Sequence, residues 1–285
     1  MRLMRRFKAF SGVSFLFSMS KIAFGNPVFY TGHMTYFKGR TAVLATMHGK
    51  EKVIAPILEH TLGIKVVLPK DFDSDQFGTF TRDIARTGNQ LEAARRKAKT
   101  AMTMLGLDLA IASEGTFGAD PQIPFIQSNL ELVLLVDDKN GIEVKGHHRS
   151  SDTNMRGQYV SSVEEALEFA KSVGFPEHGV IVRKSKTGNA SIYKGIKTEG
   201  ELRQRVSNML SGFFTKKIYI ETDMRAHMNP TRMEKIAKAT EDLVKNVTSE
   251  CPECNTPGFV IVDFKRGLVC ARCKLRTDSA LAYIR

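Results

Sequence analysis

The sequence predicts an α/β protein: a mixed sheet with helices on its faces, followed by a small cysteine-bearing C-terminal ribbon. Three observations carry this prediction. Strand and helix patterns alternate from residue 40 onward, as they do when helices cover the faces of a sheet. At 285 residues the chain is long enough for one sizeable core plus an appendage. All four cysteines fall in the last thirty-five residues, as two CxxC pairs. The chain therefore divides into a basic extension over 1–35, an α/β body over 36–249 and the ribbon over 250–285.

The elements follow in order. Thr41–Thr46 is an apolar strand, Met47–Lys50 a turn, and Glu51–Leu62 a helix closed by Gly63. Ile64–Leu68 is the next strand, and Lys70–Phe80 a long polar loop. Asn89–Leu105 reads as a helix ended by Gly106, and Leu109–Ser113 as a buried strand. Glu131–Val136 and Gly141–Lys145 form a hairpin turned at Asn140-Gly141. Ser162-Val-Glu-Glu165 opens a helix as a capping box. Gly179–Arg183 is a strand, Glu199–Leu210 a helix and Lys217–Ile220 a strand. The last helix starts at Asn229, with Pro230 at its first helical position, and runs to Val247.

In the tail, Cys251, Cys254, Cys270 and Cys273 form two knuckles separated by fifteen residues. That spacing presents four thiolates to one structural Zn²⁺. Gly258–Asp263 reads as a strand, Lys265–Gly267 as a turn, and Leu268-Val269 leads into the second knuckle: a zinc ribbon. Two disulfides would also staple so small a segment, but CxxC spacing favours metal. Thiolate-bound zinc implies a reducing, cytoplasmic compartment.

The formal net charge of +12 is uneven. Residues 1–50 hold eight Lys/Arg and no acid, while the remainder has 34 basic against 30 acidic side chains. The high isoelectric point therefore describes the start of the chain more than its body. The apolar run Ala9–Met19 is too short for a bilayer, which takes about 20 residues, and no other segment approaches a transmembrane span. Residues 1–35 fit a dispensable extension, a targeting or surface-binding segment, or an ordinary first element.

Ligands of open α/β sheets sit beyond the carboxyl ends of strands, and four clusters fall there. After the first strand come His48, Gly49 and Lys50, at a helix start whose free N–H groups favour anions. Lys50 is placed to hold a phosphate. Asp71, Asp73 and Asp75, at alternate positions of the polar loop, suit a hard divalent cation. Glu114, after Ser113 and before Gly115, is a metal ligand or a base for an attacking water. Glu221, Asp223, Arg225, His227, Asn229 and Arg232 surround a helix N-terminus. Each has a plain alternative: His48 and Lys50 as solvated surface, the aspartates as loop caps, Asn229 as an N-cap, the arginines as partners of Glu221 and Asp223. Glu92 and Lys97 also read as surface charges, and His147 and His148 as facing water. The recurrence of such residues after successive strands predicts that at least two clusters share one pocket.

Two resemblances rest on these residues. Leu44–Glu51, Ala112–Gly118, Glu221–Arg232 and the cysteine tail together resemble a bacterial family whose domain is of unknown function, over residues 36–276; this implies no activity. Strand, ATxxxK-like turn, helix, Leu91–Ala98, then a strand ending in Glu114-Gly115 is similar to the inosine-triphosphate pyrophosphatases and septum-inhibitor (Maf-like) nucleotide hydrolases. That likeness covers residues 40–120. It implies that Lys50 contacts phosphate and Glu114 coordinates Mg²⁺, with Asp71, Asp73 and Glu92 as further ligands or water activators. His48 stands where that pattern has Asn, the lysine offset differs, and residues 200–285 have no counterpart.

The expectation is a Mg²⁺- or Mn²⁺-dependent hydrolase of a phosphoanhydride or phosphoester bond, in a nucleotide or other phosphorylated substrate. Catalysis falls to Glu114, Asp71, Asp73 and His48, phosphate binding to Lys50, Gly49, Arg225, His227 and Arg232, and a second metal to Glu92, Glu221 and Asp223. The alternative is a non-catalytic nucleic-acid-binding protein that uses the ribbon, whose tail carries Lys265, Arg266, Arg272, Lys274, Arg276 and Arg285.

Overall fold

The first sheet is built from β1 (Thr41–Ala45), β2 (Lys65–Val67), β3 (Leu109–Ala119), β4 (Gln127–Asp137) and β5 (Ile142–Ser150). Their order is β2-β1-β3-β4-β5. β1, β2 and β3 are parallel, and β4 and β5 add antiparallel strands. These positions come from a computed structural model, which describes residues 36–72, 89–120, 123–187, 191–212, 215–277 and 280–284, with the backbone alone for 263–266 and 280–284. The described residues belong to one compact unit.

Local signals set the helices. α1 (Glu51–Leu62) ends where Gly63 takes a left-handed conformation and returns its N–H to Glu59. α2 (Gln90–Leu105) begins with a reciprocal capping box between Asn89 and Glu92 and closes at left-handed Gly106. α5 (Pro230–Val247) has Asn229 as its N-cap and proline at its start. Strand alternation then sorts the core. Leu44, Leu109, Ile111, Val133 and Leu135 face α1 and α5. Ala110, Ala112, Leu132 and Leu134 face α2, whose inner stripe of Ala94, Ala98 and Ala101 permits close packing. Arg40 ties the far end of the sheet together, donating to Asp137 at 2.8 Å and to Asp108 at 3.0 Å.

A second sheet holds β6 (Gly157–Val160), β7 (Val180–Arg183), β8 (Ile192–Ile196) and β9 (Ile218–Thr222), in the order β6-β9-β7-β8. All its neighbours are antiparallel. α3 (Val163–Ser172) and α4 (Glu199–Leu210) cover one face, packing Ala166, Phe169, Leu202 and Val206 on Val160, Val182, Ile218 and Ile220. The result is two interleaved split β-α-β units.

Several expectations need correction. The body holds two sheets and not one. β6 and β8 are short and half-polar, so neither carries a clear period of two. Glu114–Gly118, expected as a loop, lies within β3, because the β3–β4 ladder continues to Ala119↔Gln127. Ser162 caps α3 through Glu165 N–H, but the Glu165 carboxylate turns to Ser161, so the box is half formed. In the tail, β10 (Ile261–Arg266) pairs with β11 (Ala280–Ile284), beyond the second knuckle, and not with Leu268-Val269. Asp73, Asp75 and the Phe77–Phe80 stretch lie outside the described residues. Among the described residues no helix is long and apolar enough to cross a membrane.

α5 crosses β5 at Gly146, where an added Cβ would stand 2.1 Å from Leu243 N and 2.4 Å from Ala239 O. Helix backbone cannot yield as a side chain can. Gly146→Ala is therefore expected to lower the unfolding free energy by roughly 1–3 kcal/mol or more, read as a reduced urea midpoint; an unchanged midpoint would refute this contact.

Candidate functional site

β1 pairs with β3 only as far as Ala45↔Ala112, whereas β3 and β4 continue together for seven more residue pairs. The turn leaving β1 thus lies beside the extended hairpin. Strand alternation puts Ser113, Gly115 and Phe117 toward α1 and α5, and Glu114 toward α2.

On the α1/α5 side the centre is an ion pair. Glu131 of β4 and Arg232 of α5 are both buried, with Arg232 Nε donating to Glu131 Oε1 at 2.8 Å and Nη2 to Oε2 at 3.3 Å. Arg232 Nη1 donates to the Met224 carbonyl at 2.6 Å, and Asn129 Nδ2 to Glu131 Oε1 at 2.9 Å. The guanidinium carbon is 5.3 Å from the centre of the Phe117 ring. Gly115 stands opposite Glu131 in the ladder; a Cβ there would be 2.4 Å from Arg232 Nη2 and 2.7 Å from both Glu131 oxygens.

Lys50, only 7 % exposed, adjoins this pair. Its Nζ donates to Ser113 Oγ at 2.9 Å and approaches the Ser113 carbonyl at 3.5 Å. Among the described residues no carboxylate lies within 4.0 Å of it. Burial, then the Arg232 charge, pushes its ammonium down to about 7. On the other face Lys97 meets Glu114 at 2.5 Å, both buried. With Lys50 protonated, the buried set of Lys50, Lys97 and Arg232 against Glu114 and Glu131 carries one excess positive charge.

The turn before Lys50 places His48 and Gly49 in the left-handed region, with φ of 67° and 72°. It packs against the short 3-10 turn Ala226–Met228 before α5. His48 stacks on His227 with ring centres 4.9 Å apart and planes 19° from parallel. Burial, then the His227 ring, drives His48 down to about 3, and burial followed by Arg225 lowers His227. Both imidazoles are neutral at physiological pH, so they offer polar ring atoms and not cationic charge. The first and fourth sequence clusters therefore meet, and Ser113, beside Glu114, joins them from β3.

Other candidates are engaged elsewhere. Asp223, fully buried, accepts from Gly195 N at 3.0 Å and from Arg225 Nη2 at 2.6 Å, which fixes the chain between β9 and α5. Glu221 pairs with Arg183 at 3.1 Å. The Glu92 carboxylate closes the α2 capping box. Asp71 is exposed at the edge of the described segment. Among the described residues, no three His, Cys, Asp or Glu side chains are grouped to hold a metal. Sequence reading missed Glu131, Ser113, Asn129 and the depth of Lys97. Glu131 opens an apolar run, and an acid at the edge of such a run was the available signal.

In the tail each CxxC pair makes the same turn. Cys251 N–H donates to Thr256 O and Asn255 N–H returns to Cys251 O; Cys270 N–H donates to Leu275 O and Lys274 N–H returns to Cys270 O. Bridges Glu250↔Pro257 and Val269↔Arg276 close the two turns at equivalent positions. Hydrogen bonds from Thr256 lower the Cys254 thiol, and backbone N–H groups of Cys273 and Arg272 lower that of Cys270. The four thiols are free, and no three of them form one group.

The domain of unknown function DUF6671 matches residues 97–285. The chain belongs to that family. No curated protein matches it. The DUF6671 segment contains Lys97, Ser113, Glu114, Glu131, Arg225, Arg232 and both knuckles, whereas β1, the His48–Lys50 turn and α1 precede it.

Lys50 generates a pH prediction. In the unfolded chain it holds its proton up to about 10.5, but in the folded protein only below about 7. The unfolded state binds more protons across that window, so this residue makes stability rise as pH increases from 7 toward 10. Denaturant titrations of Lys50→Met should lack this component: the variant gains most over wild type near pH 6, and the gain shrinks as pH rises. A pH-independent difference would contradict the buried, uncompensated ammonium.

Proposed function

We propose that this protein hydrolyses a phosphoanhydride or phosphoester bond in a nucleotide or other phosphorylated substrate, with the phosphates held against Lys50 and Arg232. The observation that carries this reading is that two buried cations, Lys50 and Arg232, lie beside a single carboxylate, Glu131, which pairs with Arg232 and leaves Lys50 to the neutral Ser113. A buried charge without a counterion is costly, and a phosphate oxygen is the counterion such a pocket favours. The positive ends of α1 and α5 both begin at this point. Lys52, Lys197 and Arg225 lie close enough to His227 to depress its protonation, so the mouth is cationic as well.

The residues divide the work. Lys50 and Arg232 stabilise charge that develops on the phosphoryl oxygens. The neutral His48–His227 stack closes one side and supplies hydrogen-bonding nitrogens without repelling Lys50. Glu131 holds Arg232 in place. Mg²⁺ or Mn²⁺ belongs to the proposal as an ion brought with the phosphates, since such ions are held by one or two carboxylates together with substrate oxygens. The described carboxylates around the pocket are each engaged by a cation, so they form no cage for it.

We also propose that the cysteine tail binds one Zn²⁺. Each knuckle offers two thiols in the same hydrogen-bonded turn, and a Zn²⁺ would join the two turns and add its binding energy to folding. A second reading, nucleic-acid binding through the tail, is favoured by the exposure of Arg272, Lys274 and Arg276 around the second knuckle.

Two experiments test these readings. With Mg²⁺ or Mn²⁺ and a panel of standard and deaminated nucleoside triphosphates, phosphate or pyrophosphate release should be measurable, and Lys50→Met should reduce it by about 100-fold or more. Glu114→Gln in parallel reads the contribution of the acid on the α2 face. Absence of release from every substrate, or equal rates in wild type and Lys50→Met, would sink the proposal. For the tail, elemental analysis should find about one zinc per chain, reduced in Cys254→Ser; metal-free wild type with full stability would dismiss the site.

A further inference from the structure

The second sheet has a basic, aromatic end far from the Lys50 pocket in the chain's topology. Antiparallel pairing brings the end of β6, the start of β9 and the end of β7 to one place. Tyr159, Tyr219 and Arg183 are successive partners in one cross-strand row, on the face opposite α3 and α4. Tyr219 is buried and meets Tyr159 edge-on, with ring centres 5.1 Å apart and planes at 67°. Gly157 makes room for the Tyr219 phenol: a Cβ there would stand 2.5 Å from its oxygen.

Tyr159 itself is 43 % exposed. Its hydroxyl accepts the Lys186 N–H at 3.3 Å, and Lys217 Nζ lies 4.7 Å from the ring centre. The same end presents exposed Lys184, Lys186, Lys216 and Lys217. The nearby acids do not offset them. Glu221 is paired with Arg183, and Glu164 and Glu165 belong to α3 on the covered side, where Glu165 bonds Ser161.

We infer that this end of the second sheet binds single-stranded nucleic acid, with Tyr159 as a stacking platform for a base and Lys184, Lys186, Lys216 and Lys217 on the backbone phosphates. An exposed aromatic ring flanked by cations just beyond the ends of adjacent strands is how sequence-tolerant single-strand sites combine stacking with charge. The middle of the face opposite α3 and α4 is buried at Ile181, Arg183 and Tyr219, so the site is the rim of the sheet at Tyr159, where the ring and the lysines are exposed. Paired bases in a duplex are already stacked and gain nothing from the ring. An acidic peptide would use the lysines without the tyrosine. The inference uses none of the residues of the Lys50 pocket, so it stands whether or not the protein is a hydrolase.

Fluorescence anisotropy with the full chain and a labelled single-stranded RNA of roughly 12 nucleotides tests it. Binding should weaken with salt, and Tyr159→Ala should weaken it about fivefold or more at unchanged salt slope, while Tyr159→Phe keeps affinity. Lys217→Ser should flatten the log–log salt slope by about 0.7. Should Tyr159→Ala fail to fold, Lys184→Ser with Lys186→Ser provides the same slope test from loop positions. Wild-type affinity in all these variants overturns the inference, as does duplex bound as tightly as single strand. Loss on Arg272→Ser, Lys274→Ser and Arg276→Ser alone moves the surface to the tail and also overturns it. Sensitivity to the lysines with none to Tyr159→Ala reduces the site to a charge patch and rejects the platform.

Discussion

The region where the sheets are joined depends on the Glu131–Arg232 ion pair. Arg232 comes from the first turn of α5, Glu131 from β4, and Met224, whose carbonyl takes the third guanidinium bond, from the chain leaving the second sheet. Burying two ions costs several kcal/mol each unless geometry and further hydrogen bonds compensate. Here Asn129 supplies an extra donor to the carboxylate, and the guanidinium makes three bonds. The pair fits only because position 115 has no side chain. One glycine on β3 thus permits the contact that holds a helix, a strand and an inter-sheet connection in fixed relation.

The same pair decides the electrostatics of Lys50. Arg232 is already matched by Glu131, so the carboxylate is not available to Lys50 at salt-bridge distance, and Ser113 supplies a neutral partner instead. A lysine in that position is poised between charged and neutral forms. An arriving anion would shift it to the charged form, and in doing so bind a proton along with the ligand. The two histidines contribute no competing charge, because the cations around them and their own burial keep both neutral.

Much of the first sheet was legible because its signals are local. Gly63 and Gly106 close helices by left-handed geometry, Asn89 and Asn229 cap them, and Asn140-Gly141 turns the β4–β5 hairpin. What was illegible depended on distant partners. Gly115 and Gly118 read as loop glycines, yet Gly115 is a strand residue whose missing side chain admits an ion pair from elements 16 and 117 positions away. Lys265–Gly267 reads as a turn, but the partner of β10 comes after the second knuckle. Of the site, Lys50, His48, His227 and Arg232 were visible because they flank helix starts. Glu131 was hidden by the apolar run that it begins, and Lys97 by lying on a helix rich in charge.

Alternation along β3 gives its two faces different chemistry, and this bears on the sequence expectation of a site like that of the nucleotide hydrolases. There the acid at the end of the corresponding strand is implied to hold Mg²⁺. Here Glu114 occupies that position but turns toward α2, where Lys97 neutralises it. The face toward Lys50 has Gly115 instead, and receives its carboxylate from the neighbouring strand. That carboxylate is committed to Arg232. The Lys50-facing side of the hairpin is therefore dominated by cations, while its acids serve as counterions that keep those cations oriented. A site of this construction favours charge stabilisation on the substrate over protein ligation of a metal, and places the burden of recognition on where Lys50 and Arg232 are held.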